Sequence, residues 1–216
     1  MLTHVEARGF ANEAEPVGLL TEGAAGIAVI VLAIIALAGV SAEALTSIAV
    51  IVIGVGLMVQ AFNSAAEHSK MMTANPGTSI QAAEFGGDVV VDCLCGLTGI
   101  VLGILALVGI NTAHLLPPAL IVFGGALLIG GAMAMRPRTL SVSSPGSETA
   151  VVTYQGSAAA GGMELLIGLA AIVLGILSLL VAGGWVLLLV GFIAVGAAML
   201  LVSATFSGAV MRLFTA

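Results

Sequence analysis

The sequence predicts an all-α membrane protein: six transmembrane helices arranged as three repeated antiparallel hairpins in a pseudo-threefold bundle. Three observations predict it. The chain of 216 residues is 60% hydrophobic and only 7% charged, with a mean hydropathy of +1.25, whereas soluble domains carry about 25% charged residues. Six apolar runs each approach the ~20 residues needed to cross a bilayer. Finally, an acid, a glycine four residues on and a nearly constant apolar core recur three times. They read EGAAGIAVIVLAIIALAG from Glu22, DCLCGLTGIVLGILALVG from Asp92 and ELLIGLAAIVLGILSLLV from Glu164.

Taken in order, residues 1–17 form a tail that holds Glu6, Glu13 and Glu15 and lacks an early apolar core. It is not a cleavable signal peptide, so the first helix serves as the targeting signal. Hairpin repeat 1, residues 18–63, consists of spans 18–40 and 44–63 joined by Ser41-Ala42-Glu43. Residues 64–88 form a loop with an Asn-Pro-Gly turn at Asn75. Hairpin repeat 2, residues 89–135, consists of spans 89–110 and 115–135 joined by Asn111 to His114. Residues 136–161 form a second loop, where TLSVSSPGSETAVVTYQG alternates polar and β-branched residues about Ser-Pro-Gly and suggests a β-hairpin. Hairpin repeat 3, residues 162–211, consists of spans 162–182 and 185–207 joined by Gly183-Gly184. Such short connections force consecutive helices to run antiparallel.

With six spans, Arg8, Lys70, Arg136, Arg138 and Arg212 fall on one side, and they are the whole complement of five basic residues. The positive-inside rule makes that side cytoplasmic, with both termini and both long loops. Trp185, the single Trp, then lies at the outer boundary, where an indole suits the interface.

The repeat is specific in its letters. Gly26, Gly96 and Gly168 match, as do Ile30-Val31-Leu32, Ile100-Val101-Leu102 and Ile172-Val173-Leu174. The first two units align without gaps through Gly54 and Gly124. The third is aligned by deleting about five residues at its outer turn, which sets Gly191 opposite Gly54 and Gly124. Each unit holds an even number of spans, so the units are parallel, unlike the inverted repeats of many transporters. Hairpins with the core IVLGILALVG or IVLGILSLLV, followed by a helix such as LLLVGFIAVGAAMLLVSA, resemble the HdeD-like family of bacterial inner-membrane proteins. That family is built from repeated hydrophobic helical hairpins, and its units often carry a turn proline, which here only the second unit has, at Pro117-Pro118. The resemblance implies a multi-pass protein of the bacterial inner (cytoplasmic) membrane with a link to acid resistance.

The candidate site residues are the three acids, Glu22, Asp92 and Glu164. Successive helical residues rotate by about 100°. Glu22 therefore shares a stripe with Gly26, Ala33 and Ala36. Asp92 shares one with Gly96, Gly103 and Ala106, and Glu164 one with Gly168, Gly175 and Ser178. Small residues mark the face where membrane helices pack, so Gly26, Gly96, Gly168, Gly103 and Gly175 are the predicted packing positions and the acids face the bundle. Two readings of the acids follow. Each sits at the start of its span, where a carboxylate satisfies free N–H groups and the macrodipole or hydrogen-bonds to a neighbouring hairpin as an interhelical polar site. Alternatively the three form a ring at the cytoplasmic end that attracts cations or protons.

Other chemistry finds little support. No phosphate-binding loop, HExxH pair or nucleophile elbow occurs. His4, His68 and His114 are scattered, and Cys93 and Cys95 suit packing better than metal or redox work. No acid or base stands at mid-membrane, unlike the carboxylate of a rotary-ATPase proteolipid. Five basic residues also exclude nucleic acid as a partner. The sequence thus predicts a non-enzymatic protein without cofactor or metal. Its partners are the lipid bilayer and copies of itself or other membrane subunits, and it acts as a structural, assembly or accessory subunit. The alternative is a small cation or proton channel, or an acid-stress protein, that uses the three carboxylates.

Overall fold

A computed structural model describes the backbone of residue 21 and of residues 23–74, 79–135, 148–181 and 183–214. Side-chain surroundings are described for residue 21 and for residues 23–65, 89–135, 161–181 and 183–203. The described chain is all helical: α1 (Gly23–Leu37), α2 (Ala42–Ala74), α3 (Ser79–Leu107), α4 (Thr112–Ala134), α5 (Glu148–Leu180) and α6 (Trp185–Phe214). Five of these six are long and apolar enough to cross a membrane, over Ala42–Ala65, Val89–Leu107, Thr112–Ala134, Gly161–Leu180 and Trp185–Ser203. α1 as described is shorter. Lipid supplies no hydrogen bonds, so an apolar chain of this composition satisfies its backbone internally as helix.

Two expectations for the polar segments are corrected. α2 and α3 run deep into the predicted 64–88 loop, leaving only residues 75–78 between them. The expected β-hairpin over 136–161 does not form in its described part, because residues 148–160 are helical and continuous with α5. Among the described residues there is no strand, and 136–147 lie outside them. The physical reason is helix propagation. Extending an existing helix adds one bond per residue fixed, whereas an isolated two-stranded hairpin is marginal. The local β propensity of Val151-Val152-Thr153-Tyr154 loses to that context.

The first two turns share one construction. Gly39 and Gly109 end α1 and α3 at φ 89° and 86°. Their N–H groups donate to Ala36 and Ala106, both at 3.0 Å, while Val40 and Ile110 donate back to Ile35 and Leu105. This is the Schellman pattern, which needs a left-handed residue and so favours Gly. Ser41 and Asn111 then enter α2 and α4 with φ 39° and 48°. Gly183, ahead of α6, also has a positive φ, 86°. Pro117 and Pro118 lie inside α4, not in its turn.

The closest backbone-to-backbone approaches join helices that are not linked by these tight turns. A Cβ added at Gly54 on α2 would sit 2.6 Å from the Gly96 carbonyl on α3, and one at Gly96 would sit 2.7 Å from that of Gly54. Gly124 on α4 and Gly168 on α5 meet in the same way, at 2.7 and 2.6 Å. Gly26 on α1 and Gly196 on α6 do so at 2.8 and 3.0 Å. Missing side chains let the backbones touch, where packing drives association in the absence of a hydrophobic effect. The residue opposite Gly26 is thus Gly196. Gly191, aligned with Gly54 from the sequence, lies against Leu120 instead.

α2, α4 and α6 also touch one another and are each half buried over their apolar stretches, against 28% for α3 and 17% for α5. Their shared core is made of Val50, Leu120, Phe192, Ile53, Phe123 and Val195, all at most 1% exposed. The outer helices carry the apolar surface. Val31, Val101 and Val173 are 48, 49 and 48% exposed. So are Ile34, Ile104 and Ile176 at 53, 49 and 45%. An apolar exterior of that extent suits acyl chains and not water.

Candidate functional site

Of the three predicted acids, the structure describes two. Asp92 and Glu164 do not stand at helix starts, since α3 begins at Ser79 and α5 at Glu148. The expectation that they satisfy the first-turn N–H groups of their helices is therefore overturned. Those groups belong to residues several turns earlier, because the helices continue beyond their apolar stretches. Glu22 lies outside the described residues.

Asp92 is only 6% exposed. It precedes by one turn the Gly96 contact with α2 and is followed by Cys95, which packs on the core. Glu164 is half-buried. Its position is set by Gly131 on α4, where an added Cβ would come within 3.1 Å of the Glu164 Cβ and 2.6 Å of the Gly161 carbonyl. A larger residue at 131 would push the acid-bearing turn away. Neither Asp92 nor Glu164 is without a partner. Gly23, next to Glu22, faces Ser203 on α6, its added Cβ falling 2.7 Å from the Ser203 hydroxyl.

Glu164 lines a narrow cleft at the head of the α2, α4 and α6 contact. Gln60 joins it, with Leu57, Leu127, Met199 and Val202 as apolar walls, and Phe123 is also part of its lining. Its volume is about 10 Å³, room for roughly one water. Asp92 is not among the residues that line it. Gln60 is the polar group that sequence reasoning missed. A single amide in an apolar span carries no periodic signal, and only the folded bundle brings it to the same cleft as Glu164.

The packing glycines all lie in helix contacts. Gly26, Gly96 and Gly168 make the backbone approaches described above. Gly103 faces Ile51 and the Ser47 carbonyl on α2, and Gly175 faces Ile121 and the Pro117 carbonyl on α4. Ser47 and Thr46, both fully buried, donate their hydroxyls to the carbonyls of Glu43 and Ala42 at 2.7 and 2.5 Å. Such back-bonding satisfies a hydroxyl inside an apolar core.

A second cavity, of about 160 Å³, lies at the turn end of the bundle among His114, Pro117, Ser178 and Trp185. Sequence reasoning noted these residues one by one, without bringing them together. The sequence signal was present in the Pro-Pro pair inside an apolar span. Among the described residues no group of three or more His, Cys, Asp or Glu is placed to hold a metal ion, and Cys93 and Cys95 are both free thiols. No family model, no curated protein and no solved structure matches this chain.

Proposed function

We propose that this multi-pass membrane protein is a non-enzymatic structural, assembly or accessory subunit that works in a homo-oligomer or beside other membrane proteins. One observation carries the reading: the place where α2, α4 and α6 meet is filled, not open. Val50, Leu120 and Phe192 are fully buried or nearly so and fill it, and the cleft at its head, lined by Ile53, Phe123 and Val195 among others, holds only about 10 Å³. An ion or proton path needs polar groups or water along its length. The same reading takes the chain as three copies of one hairpin about a pseudo-threefold axis. The three Gly-on-Gly contacts support it, as do the matched exposures of Val31, Val101 and Val173. In this arrangement α2, α4 and α6 are the inner helices, and the α1–α6 contact closes the ring. The confinement of all five basic residues to one side supports a bacterial inner membrane setting with cytoplasmic termini. The HdeD-like resemblance rests on the same apolar cores and stands beside this reading.

The second reading, a small cation or proton channel or an acid-stress protein, is favoured by the carboxylate of Glu164 at the central cleft. One experiment separates the two. Full-length protein in liposomes is assayed for proton and potassium flux beside the triple variant E22Q/D92N/E164Q. The subunit reading expects no flux from either, and co-purification of the wild type with itself or other membrane proteins in mild detergent. Flux that the triple variant abolishes would sink it and establish the channel.

A further inference from the structure

We propose that the cavity at the turn end of the bundle binds a primary ammonium group. The cavity lies between the start of α4 and the α5–α6 turn. Its volume of about 160 Å³ is close to that of a cavity that holds benzene, roughly 150 Å³. A small organic cation fits.

The chemistry of the walls sets the ligand class. Proline has no N–H, so Pro117 and Pro118 inside α4 leave the carbonyls of Ala113 and His114 without their i+4 helical donors. Ala113 and Pro117 both line the cavity. The missing hydrogen bond therefore falls on its wall. Ser178 lines the opposite side. Its hydroxyl hydrogen is committed to the Gly175 carbonyl at 2.7 Å, which leaves lone pairs as what it offers. His114 adds a ring nitrogen, and the Trp185 indole is the aromatic surface that best attracts a cation. Carbonyl, hydroxyl and indole together want a donor-rich cation. A carboxylate or phosphate would meet acceptors and no fixed positive charge. Gly184 keeps this wall close, because an added Cβ there would lie 2.4 Å from the Ser178 carbonyl.

Two sources supply the same group: a free small amine, or the ethanolamine headgroup of a phospholipid at the bilayer surface. Trp185 is the single Trp of the chain, so its emission reports on this cavity alone. Full-length protein in detergent is titrated with propylammonium and, separately, with propionate of matched size. The expected result is a saturable change in emission with propylammonium only. The double variant P117A/P118A restores both N–H donors while favouring helix. It should weaken propylammonium binding about tenfold, as for one lost hydrogen bond to a charge. Its circular dichroism and elution volume should match the wild type. In nanodiscs, phosphatidylethanolamine that suppresses the propylammonium response identifies the headgroup as the source. A response equal to that in phosphatidylcholine identifies a free amine. An emission that ignores propylammonium, an equal response to propionate, or an affinity unchanged in P117A/P118A overturns the proposal.

Discussion

At the scale of single residues, glycine decides where these helices meet. At Gly54, Gly96, Gly124 and Gly168 an added Cβ would meet a carbonyl oxygen at 2.6 or 2.7 Å, and backbone cannot step aside as a side-chain tip can. Gly54→Ala or Gly124→Ala should therefore lower thermal stability in detergent, by about 1–3 kcal/mol for overpacking, despite the better helix propensity of Ala. Gly125 is the internal control, since nothing lies within 4 Å of its added Cβ. Gly125→Ala should be neutral or stabilising by up to about 1 kcal/mol. Equal effects of Gly124→Ala and Gly125→Ala would show that propensity, not contact, governs these sites. The glycine stripe was legible from spacing alone, because small residues at helical intervals have one physical use in lipid. The partner of Gly26 was not. A deletion of about five residues at the third turn set Gly191 opposite Gly54, although counting on from Glu164 without a gap reaches Gly196.

At the scale of elements, the helices outrun their apolar stretches. α2 and α5 each have 33 residues, about 50 Å at 1.5 Å per residue, against a hydrocarbon core of about 30 Å. Apolar runs locate the part of a helix that lies in lipid, and five of the six expected spans coincide closely with those found. They say nothing of where the helix ends in water. That boundary depends on propagation from an existing helix, and so the polar segment before Gly161 read as strand. The consequence for the site is direct: Asp92 and Glu164 are interior helical residues held by Gly96 and Gly131 contacts. Spin-label pairs four residues apart within residues 148–160 should report a rise of about 6 Å, as in a helix; a rise of about 13 Å would restore the strand. Gly131→Leu should displace Glu164, lowering stability by about 1–3 kcal/mol, while Leu at the lipid-facing position of Ile129, 39% exposed, should leave it unchanged within about 0.5 kcal/mol.

At the scale of the whole molecule, the tight Gly-on-Gly contacts cross between consecutive turn-linked pairs. α2 lies on α3, α4 on α5 and α6 on α1. A chain cut between α2 and α3 therefore loses a covalent link but no packed interface. The two fragments would still share the α2–α3 contact at Gly54 and Gly96 and the α1–α6 contact at Gly26 and Gly196. Co-expressed fragments 1–76 and 77–216 should co-purify through a tag on either one. Within a membrane the larger fragment already holds α3 to α6, so its own contacts at Gly124 and Gly168 survive when the smaller is absent. Filling one seam tests the closure. Gly26→Val puts branched carbon against the Gly196 carbonyl, 2.8 Å from the first added atom, and should reduce recovery of the small fragment. Gly26→Val together with Gly54→Val should abolish it. Recovery undiminished by both substitutions would mean that α1 and α2 are held by the apolar contacts of Val29, Ala33 and Val50 alone, and that the ring is not closed through its glycines.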